Sequence, residues 1–371
     1  MVKGQVAITF NWIYILIAGV VILLFFFFIV AKQKEISEEK LGADLVRTMK
    51  SIFTAAGVSE KTKNEIDTGS LADYTLFFNC EDGRSEFGFL GTSARDEDRV
   101  NPLFSPAEIK APKLITWSLP YKLPFKVADL LYVSSSTTKY FAWGQGEFRD
   151  EFVNAAKAAT KNDLGFNVKE ISNFEEYNEV TPQLNFQVRI LDLDGSLLRL
   201  DRLKEGELVP PGLKKMADTA VTAVSLDLDG HNVFYFQKEG DHWKQSNRNP
   251  IPIVSLGEER DAAKYAALFA ADEGSYECNM KKAFRRLQYV AAVYEGKAQQ
   301  LSEGYQDISG QICRGLLSGS ADSIQILLSQ LQATAVGCEQ QPGRCADLVE
   351  IAWRLKQQNE QLNLEDCVTL Y

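Results

Sequence analysis

The chain has 371 residues, of which 45% are hydrophobic and 24% charged, and its formal net charge is −10. The apolar share is that of an ordinary globular protein, and the length exceeds what one small core holds, so an anchor and two folded units are expected. An acidic chain lacks the positive surface that nucleic acids and anionic lipids require, which argues against nucleic acid as a partner.

The chain opens with an uncharged apolar stretch, residues 6–30, in which only Thr9 and Asn11 are polar. A bilayer core of about 30 Å needs about 20 apolar residues in a helix, so residues 1–32 are predicted to form a transmembrane anchor that contacts membrane lipid through residues 6–30. A secretory signal would have an apolar core of only about 7 to 15 residues. A buried helix of a soluble core is disfavoured because the stretch is apolar on all sides.

Residues 33–68 are predicted to continue the anchor as a stalk helix. Its apolar side chains follow helical spacing on one face, which we expect to dock on the body: Leu41, Leu45, Met49, Ile52 and Phe53.

Residues 69–256 are predicted to form a mixed α/β domain. Two apolar runs, residues 74–80 and 85–90, flank Glu81-Asp82-Gly83-Arg84 and predict a hairpin with Gly in its turn. Residues 100–124 carry five prolines and predict a loop-rich connector with one strand at 114–117. Beyond it, strand patterns alternate with helical ones, which favours an α+β fold, with α/β as the alternative.

Residues 257–371 are predicted to form a helical, cysteine-containing domain, because apolar residues recur there every three or four positions. The whole chain is therefore expected to combine a single amino-terminal transmembrane helix, a mixed α/β body and a carboxyl-terminal helical bundle stapled by disulfides.

The chain has six cysteines: Cys80, Cys278, Cys313, Cys338, Cys345 and Cys367. None forms a C-x-x-C pair and both histidines lie far away in sequence, so zinc-ligand spacing is absent and we predict no cofactor. If the helices on either side of Pro342-Gly343 are antiparallel, Cys338 meets Cys345 across the turn, and Cys367 returns to the level of Cys313. Cys80 is then left for Cys278. Six cysteines allow fifteen connectivities, and six ordinary buried thiols are a further alternative.

The cysteines also bear on the compartment. An even number of cysteines on an anchored domain suggests disulfides, which persist in oxidising compartments, so we predict a single-pass plasma-membrane protein with an extracytoplasmic body. Charge favours the opposite orientation, since only Lys3 and the amino terminus precede the span, whereas Lys32, Lys34, Lys40 and Arg47 follow it. We give more weight to the cysteines, because five of the six lie after residue 277.

Lys3, Gly4 and Gln5, directly before the apolar helix, resemble the start of an archaeal type IV prepilin, whose peptidase cuts between a Gly and a following Gln. The resemblance covers only residues 1–30, and Thr9 stands where pilins usually place a Glu. It implies processing at Gly4 and Gln5 and a helix that packs into a filament. The layout of a short anchor and an acidic, cysteine-containing body is also similar to that of archaeal single-pass surface proteins.

The segment Ile190-Leu191-Asp192-Leu193-Asp194-Gly195-Ser196 resembles the first motif of the haloacid dehalogenase phosphatases. This resemblance implies that Asp192 is the nucleophile and Asp194 the general acid, with Mg²⁺ bound between them, because an aspartyl phosphate needs paired carboxylates and a cation. Ser225, Lys238 and Asp241 would be the later members of the set.

The same pattern recurs at residues 226–230, as Leu-Asp-Leu-Asp-Gly. Two hairpins with Asp-Gly turns explain both copies, and we favour that interpretation over an enzyme. Gly144-Gln145-Gly146 has the position of a phosphate-binding turn between a strand and a helix, but a plain turn is favoured there because Arg149 stands in place of the third glycine of the dinucleotide-binding motif. The basic cluster Lys281, Lys282, Arg285 and Arg286 is interpreted as a solvated helix face.

No catalytic set emerges from these motifs. The sequence therefore favours a membrane-anchored extracytoplasmic protein with a structural or protein-binding role and protein partners. The alternatives are a type IV pilin-like or pilus-associated subunit and an anchored Mg²⁺-dependent phosphohydrolase that uses Asp192 and Asp194.

Overall fold

A computed structural model of the chain describes residues 3–56, 63–69, 72–156, 166–181, 186–198, 209–227, 231–246, 249–257, 260–305, 310–342 and 345–371. Over these ranges an amino-terminal helix precedes three β-sheets and a helical carboxyl-terminal region. The predicted α+β fold, with its apolar first helix and its cysteine-containing helical end, is confirmed.

Helix α1 (Lys3–Ala56) is one helix of 54 residues. Its segment Ile15–Lys34 has a mean hydropathy of 2.9, is long and apolar enough to cross a membrane, and is not buried against any described part of the body. A helix of a soluble core would be covered by the rest of the protein, so the exposure of this segment excludes that alternative.

The carboxyl-terminal part of α1 docks on the body. Val46, Met49 and Phe53 are buried there against strands of two sheets, and Lys50 Nζ lies 2.6 Å from Asp96 Oδ1. The predicted apolar face is confirmed at Met49 and Phe53, whereas Leu41 is exposed.

The predicted extent of the stalk helix, residues 33–68, is too long. Helix α1 ends at Ala56, and Lys63–Asp67 form strand β1. In the sequence Gly57 follows Ala56, and glycine is a poor helix former. The buried Ile66 then belongs to a sheet core rather than to a helix face.

Two small sheets follow α1. The first, which we call the hairpin sheet, has the order β4-β3-β2-β6 and is antiparallel; its strands are β2 (Leu76–Glu81), β3 (Arg84–Phe89), β4 (Arg95–Asp98) and β6 (Glu108–Ile109). The predicted β2–β3 hairpin is confirmed, with Asp82 and Gly83 as its two-residue turn at φ values of 49° and 73°. The second sheet has the order β1-β7-β8-β5, from β5 (Leu103–Phe104), β7 (Lys113–Lys122) and β8 (Lys126–Ser135).

The third sheet, which we call the mixed sheet, has the order β10-β9-β11-β12-β13-β14. Its strands are β9 (Thr138–Trp143), β10 (Asn167–Ile171), β11 (Gln187–Asp192), β12 (Val221–Asp227), β13 (Asn232–Glu239) and β14 (His242–Gln245), and β15 (Ile251–Pro252) pairs with β13. The first four strands in this order are parallel, and β13 and β14 are antiparallel. Helix α2 (Glu147–Ala156) lies between β9 and β10 in the chain, and α3 (Phe174–Asn178) between β10 and β11.

The hairpin interpretation of the two Asp-Gly segments is wrong for the first copy. Strand β11 lies between β9 and β12 and is parallel to both, so the chain leaves the sheet after Asp192 instead of turning back beside it. At the second copy β12 and β13 do pair antiparallel, and residues 228–230 lie outside the described residues.

The remaining helices are α4 (Ala262–Phe269), α5 (Glu273–Gly304), α6 (Gln311–Arg314), α7 (Ile324–Gln340) and α8 (Asp347–Leu364). Three disulfides join Cys80 to Cys278, Cys313 to Cys367 and Cys338 to Cys345, with Cα–Cα distances of 5.8, 5.7 and 5.4 Å. These are the three pairs that antiparallel helices around Pro342 predict.

The largest core is continuous between sheets and helices. Trp117 and Tyr132 of the second sheet pack on Tyr265 of α4, at ring-centroid distances of 5.0 and 6.2 Å, and the same core includes Leu287 of α5 and Leu328 of α7. The predicted boundary between residues 256 and 257 thus separates two kinds of secondary structure that share one core.

Candidate functional site

The carboxyl ends of three parallel strands lie side by side in the mixed sheet. Asp192 at the end of β11 is in register with Trp143 of β9 and Ser225 of β12. Open α/β sheets bind their ligands at this edge, so it is where the predicted Asp192 and Asp194 chemistry would take place.

The carboxylate of Asp192 is fully buried and is used within the protein. Its Oδ2 accepts hydrogen bonds from Ser225 Oγ at 2.8 Å, Leu198 N at 2.9 Å and Leu197 N at 3.2 Å. Burial raises the pKa of Asp192 to about 6, although these hydrogen bonds favour the charged form. Asp192 therefore joins the turn after β11, through the backbone amides of Leu197 and Leu198, to Ser225 of the neighbouring strand β12.

Asp194 connects this turn to the one that follows β9. Its carboxylate accepts from Ser196 Oγ at 2.6 Å, Ser196 N at 3.0 Å and Gln145 N at 2.9 Å. Burial alone would raise the pKa of Asp194, but the hydrogen bonds from Ser196 and Gln145 hold it below its ordinary value. Gly144 has φ +119°, and a Cβ there would lie 3.0 Å from Asp194 Cγ, so the close approach of the two turns requires glycine. The candidate phosphate-binding turn thus binds a carboxylate of the chain itself.

The other members of the phosphatase-like set do not join Asp192 and Asp194. Ser225 does, but Lys238 pairs with Asp218 and Asp241 pairs with Lys214, at the opposite edge of the mixed sheet. The register explains this, because Gln237, the neighbour of Lys238, lies opposite Thr222 at the beginning of β12. The described residues hold no group of three or more His, Cys, Asp or Glu that could bind a metal ion.

A cavity of about 330 Å³ lies at that opposite, amino-terminal edge. A row across the sheet, Arg189, Thr222 and Gln237, forms part of its wall, and Lys238 and Asp272 also line it. No motif marks this cavity in the sequence, because its lining comes from six separate segments of the chain.

Arg189 is nearly fully buried and has only neutral acceptors in the described structure. It donates to Ala270 O at 2.5 Å, to Ala271 O at 3.4 Å and to Thr222 Oγ1 at 3.3 Å, and burial lowers its pKa. Arg189 thus joins the mixed sheet to the segment that directly follows α4, and it lines the cavity.

A second buried cation, Lys282, lies where the hairpin sheet meets α5. Its Nζ donates to Ser85 Oγ at 2.6 Å, Asp98 O at 2.9 Å and Asn101 O at 3.1 Å, and Ser85 Oγ donates to Asn279 Oδ1 at 2.9 Å. Burial lowers the pKa of Lys282 to about 8. The prediction of a solvated basic face is wrong for Lys282, which is enclosed next to the Cys80–Cys278 disulfide and holds the two elements together.

Gly4 and Gln5, the candidate processing site, lie in the first turn of α1, and the side chain of Gln5 is outside the described part of the chain. Processing between them stays a prediction.

Comparison with known proteins found no relative: no protein-family model, no curated protein and no solved structure matches this chain.

Proposed function

We propose that the chain is a single-pass plasma-membrane protein whose disulfide-stapled body lies outside the cytoplasm and has a structural or protein-binding role. The observation that carries the proposal is the form of α1, which is exposed and apolar over Ile15–Lys34 and continues as the same helix into a docked segment at Val46, Met49 and Phe53.

Helix continuity supports an anchor over a cleaved signal, because the apolar segment and the docked segment form one element. The three disulfides support an extracytoplasmic body, since the cytosol keeps most thiols reduced. A protein-binding or structural role is supported by the way Asp192 and Asp194 are used, since both carboxylates hold turns of the fold.

Protease treatment of intact cells tests the placement. We expect external protease to digest residues 63–371 and to leave the apolar segment protected, whereas permeabilised cells should show no further loss of the body. A body that resists external protease until the membrane is opened would place it in the cytoplasm, as the charges after the span favour. A mature chain that lacks residues 15–34 would identify this stretch as a removed signal.

A type IV pilin-like subunit is the second candidate, and the exposed segment Ile15–Lys34 of α1 favours it, since a helix that packs into a filament core would also be free of the body. Intact-mass analysis distinguishes the two, because a pilin-like chain begins at Gln5 after cleavage and an unprocessed anchor retains Met1 or Val2.

A further inference from the structure

One face of α5 is apolar at its centre although it points to solvent. Tyr289 and Val293 are 68% and 72% exposed, one helical turn apart, on the side opposite the buried Leu287 and Ala291. The solvent side of a surface helix is normally polar, so Tyr289 and Val293 are candidates for the centre of a contact surface.

Gly296 lies one turn further along the same face. A Cβ at this position would meet nothing within 4 Å, and the residue is in the interior of α5. Glycine is the poorest helix former after proline, and the single chain offers no steric reason for it here. A second backbone that approaches the helix closely would be such a reason.

The charges on this face have opposite signs at its two ends. Arg286 precedes the apolar centre and Glu303 follows it, and neither forms an ion pair with another described residue. The face, which we call the α5 face, has members spaced alternately by three and four residues, which is the spacing of the residues that contact the second helix in a coiled coil. Its members are Arg286, Tyr289, Val293, Gly296, Gln300 and Glu303.

The α5 face is complementary to itself when one copy is reversed. Around a two-fold axis between Val293 and Gly296, Arg286 faces Glu303 of the second copy, Tyr289 faces Gln300, and Val293 faces Gly296. Opposite charges meet at both ends, and at the centre the valine side chain meets a glycine, which has none. A parallel arrangement in register would place Arg286 against Arg286 and Glu303 against Glu303, which is repulsive.

We propose that the chain forms a homodimer in which the α5 faces of two copies pack antiparallel, as an isologous contact. The inference gives the proposed protein-binding role a partner, and it does not depend on which side of the membrane the body occupies.

The first test measures the mass of the full-length chain in detergent micelles by light scattering over a range of concentrations. We expect a monomer–dimer equilibrium, and we expect Gly296→Leu to weaken it at least about tenfold, the factor that 1.4 kcal/mol produces. The leucine side chain has open space in the single chain, so the thermal midpoint of the monomer should not fall. Gln357→Leu, at an exposed position of α8, is the matched control and should dimerise as the unaltered chain does.

The second test reverses the charges. Arg286→Glu and Glu303→Arg each place two like-charged pairs in a dimer, so each variant alone should be largely monomeric. A mixture of the two should form a heterodimer, because each chain then supplies the charge that the other needs. The double variant Arg286→Glu/Glu303→Arg should recover the homodimer.

Three results would overturn the inference: a full-length chain that is monomeric at every concentration, a dimer unaffected by Gly296→Leu, or charge-reversed variants that fail to pair with each other. The first of these leaves the proposed membrane placement untouched. A body found in the cytoplasm, in turn, overturns that placement and leaves the dimer intact.

Discussion

Asp192 and Lys282 are buried ionisable side chains that each fasten a loop to the body through three hydrogen bonds. Burial moves the pKa of both groups towards the neutral form, upwards for the carboxyl group and downwards for the ammonium group. The two residues therefore make the free energy of unfolding depend on pH in two separate windows.

Asp192→Asn should remove the pH dependence of stability that Asp192 causes in acidic solution. Because the pKa of Asp192 is about 6 in the folded chain and about 4 when unfolded, the folded state holds the proton more tightly, and the free energy of unfolding falls as pH rises between these values. Asn keeps an acceptor for Ser225 and Leu198 and cannot ionise. Relative to the unaltered chain, the variant should gain about 3 kcal/mol between pH 4 and pH 7, measured by urea unfolding.

Asp194→Asn is the control with the opposite sign. The pKa of Asp194 is lowered in the folded chain, so its charged form stabilises the protein above the unfolded pKa and this contribution is lost as pH falls. The Asp194→Asn variant should therefore lose stability relative to the unaltered chain as pH rises from 3 to 6. Parallel curves for Asp192→Asn and the unaltered chain would contradict the assigned pKa.

Lys282→Met should remove the pH dependence of stability that Lys282 causes in basic solution. The pKa of Lys282 is about 8 when folded and about 10.4 in an unfolded chain, so the unfolded state binds more protons between these values and the free energy of unfolding rises with pH. The Met variant lacks this rise. The unaltered chain should gain about 3 kcal/mol over it between pH 7 and pH 10.5. Tyrosine ionisation affects both chains and cancels in the comparison, and a constant difference across this range would count against a buried ammonium.

At the scale of the element, the disulfides differ in how much of the unfolded chain they restrain. Cys80–Cys278 spans 198 residues and ties the hairpin sheet to α5, whereas Cys338–Cys345 spans 7 residues across the turn between α7 and α8. Loop-closure entropy scales with the logarithm of the loop, which gives about 5 kcal/mol for the first and about 2 kcal/mol for the second.

The double variant Cys80→Ser/Cys278→Ser should accordingly lower the free energy of unfolding by more than Cys338→Ser/Cys345→Ser does, by about 3 kcal/mol. Chemical unfolding of the two variants under oxidising conditions measures this. Equal losses would mean that local contacts around each pair, and not the length of the loop, set the contribution.

Elements with strong local sequence signals form where the sequence predicts them. The β2–β3 hairpin is fixed by Asp82-Gly83, because both turn residues need positive φ and these residue types allow it. Strand β7 is longer than its pattern predicts, since Pro120 disfavours a strand interior. Within the described residues, β1 pairs only with Lys113–Trp117, so Pro120 lies where the described strands give β7 a neighbour on one side only.

The candidate site could be predicted only in part, because its contacts join residues that are far apart in the sequence. The link between Asp192 and Ser225 depends on β11 and β12 being parallel neighbours, and the identical Asp-Gly segments gave no local sign that one ends a central strand and the other a hairpin. The environments of Arg189 and Lys282 are set by residues 33 to 197 positions away in sequence. Local periodicity carries no information about such contacts.

At the scale of the whole molecule, the proposed anchor helix and the body are joined by shared packing. Val46, Met49 and Phe53 of α1 belong to the same core as Phe87 and Phe89 of the hairpin sheet, so the helix that carries the proposed anchor also completes the fold. The exposed segment of α1, in contrast, contributes nothing to the core of the body.

A chain that begins at Lys34 should therefore fold and remain in solution, with the three disulfides formed and a thermal midpoint close to that of the full-length protein. A chain that begins at Lys63 loses three buried side chains worth about 2 kcal/mol each, a total of about 6 kcal/mol that approaches the stability of a typical domain. It should unfold or aggregate.

Within the chain that begins at Lys34, Met49→Ala should lower the free energy of unfolding by about 3 kcal/mol, because it removes a buried side chain. Thr48→Ala, at the exposed neighbouring position, should lower it by less than about 0.5 kcal/mol. Urea unfolding measures both. Equal effects at the two positions would show that the docked part of α1 is not integral to the body, and the anchor would then be a tether and not part of the fold.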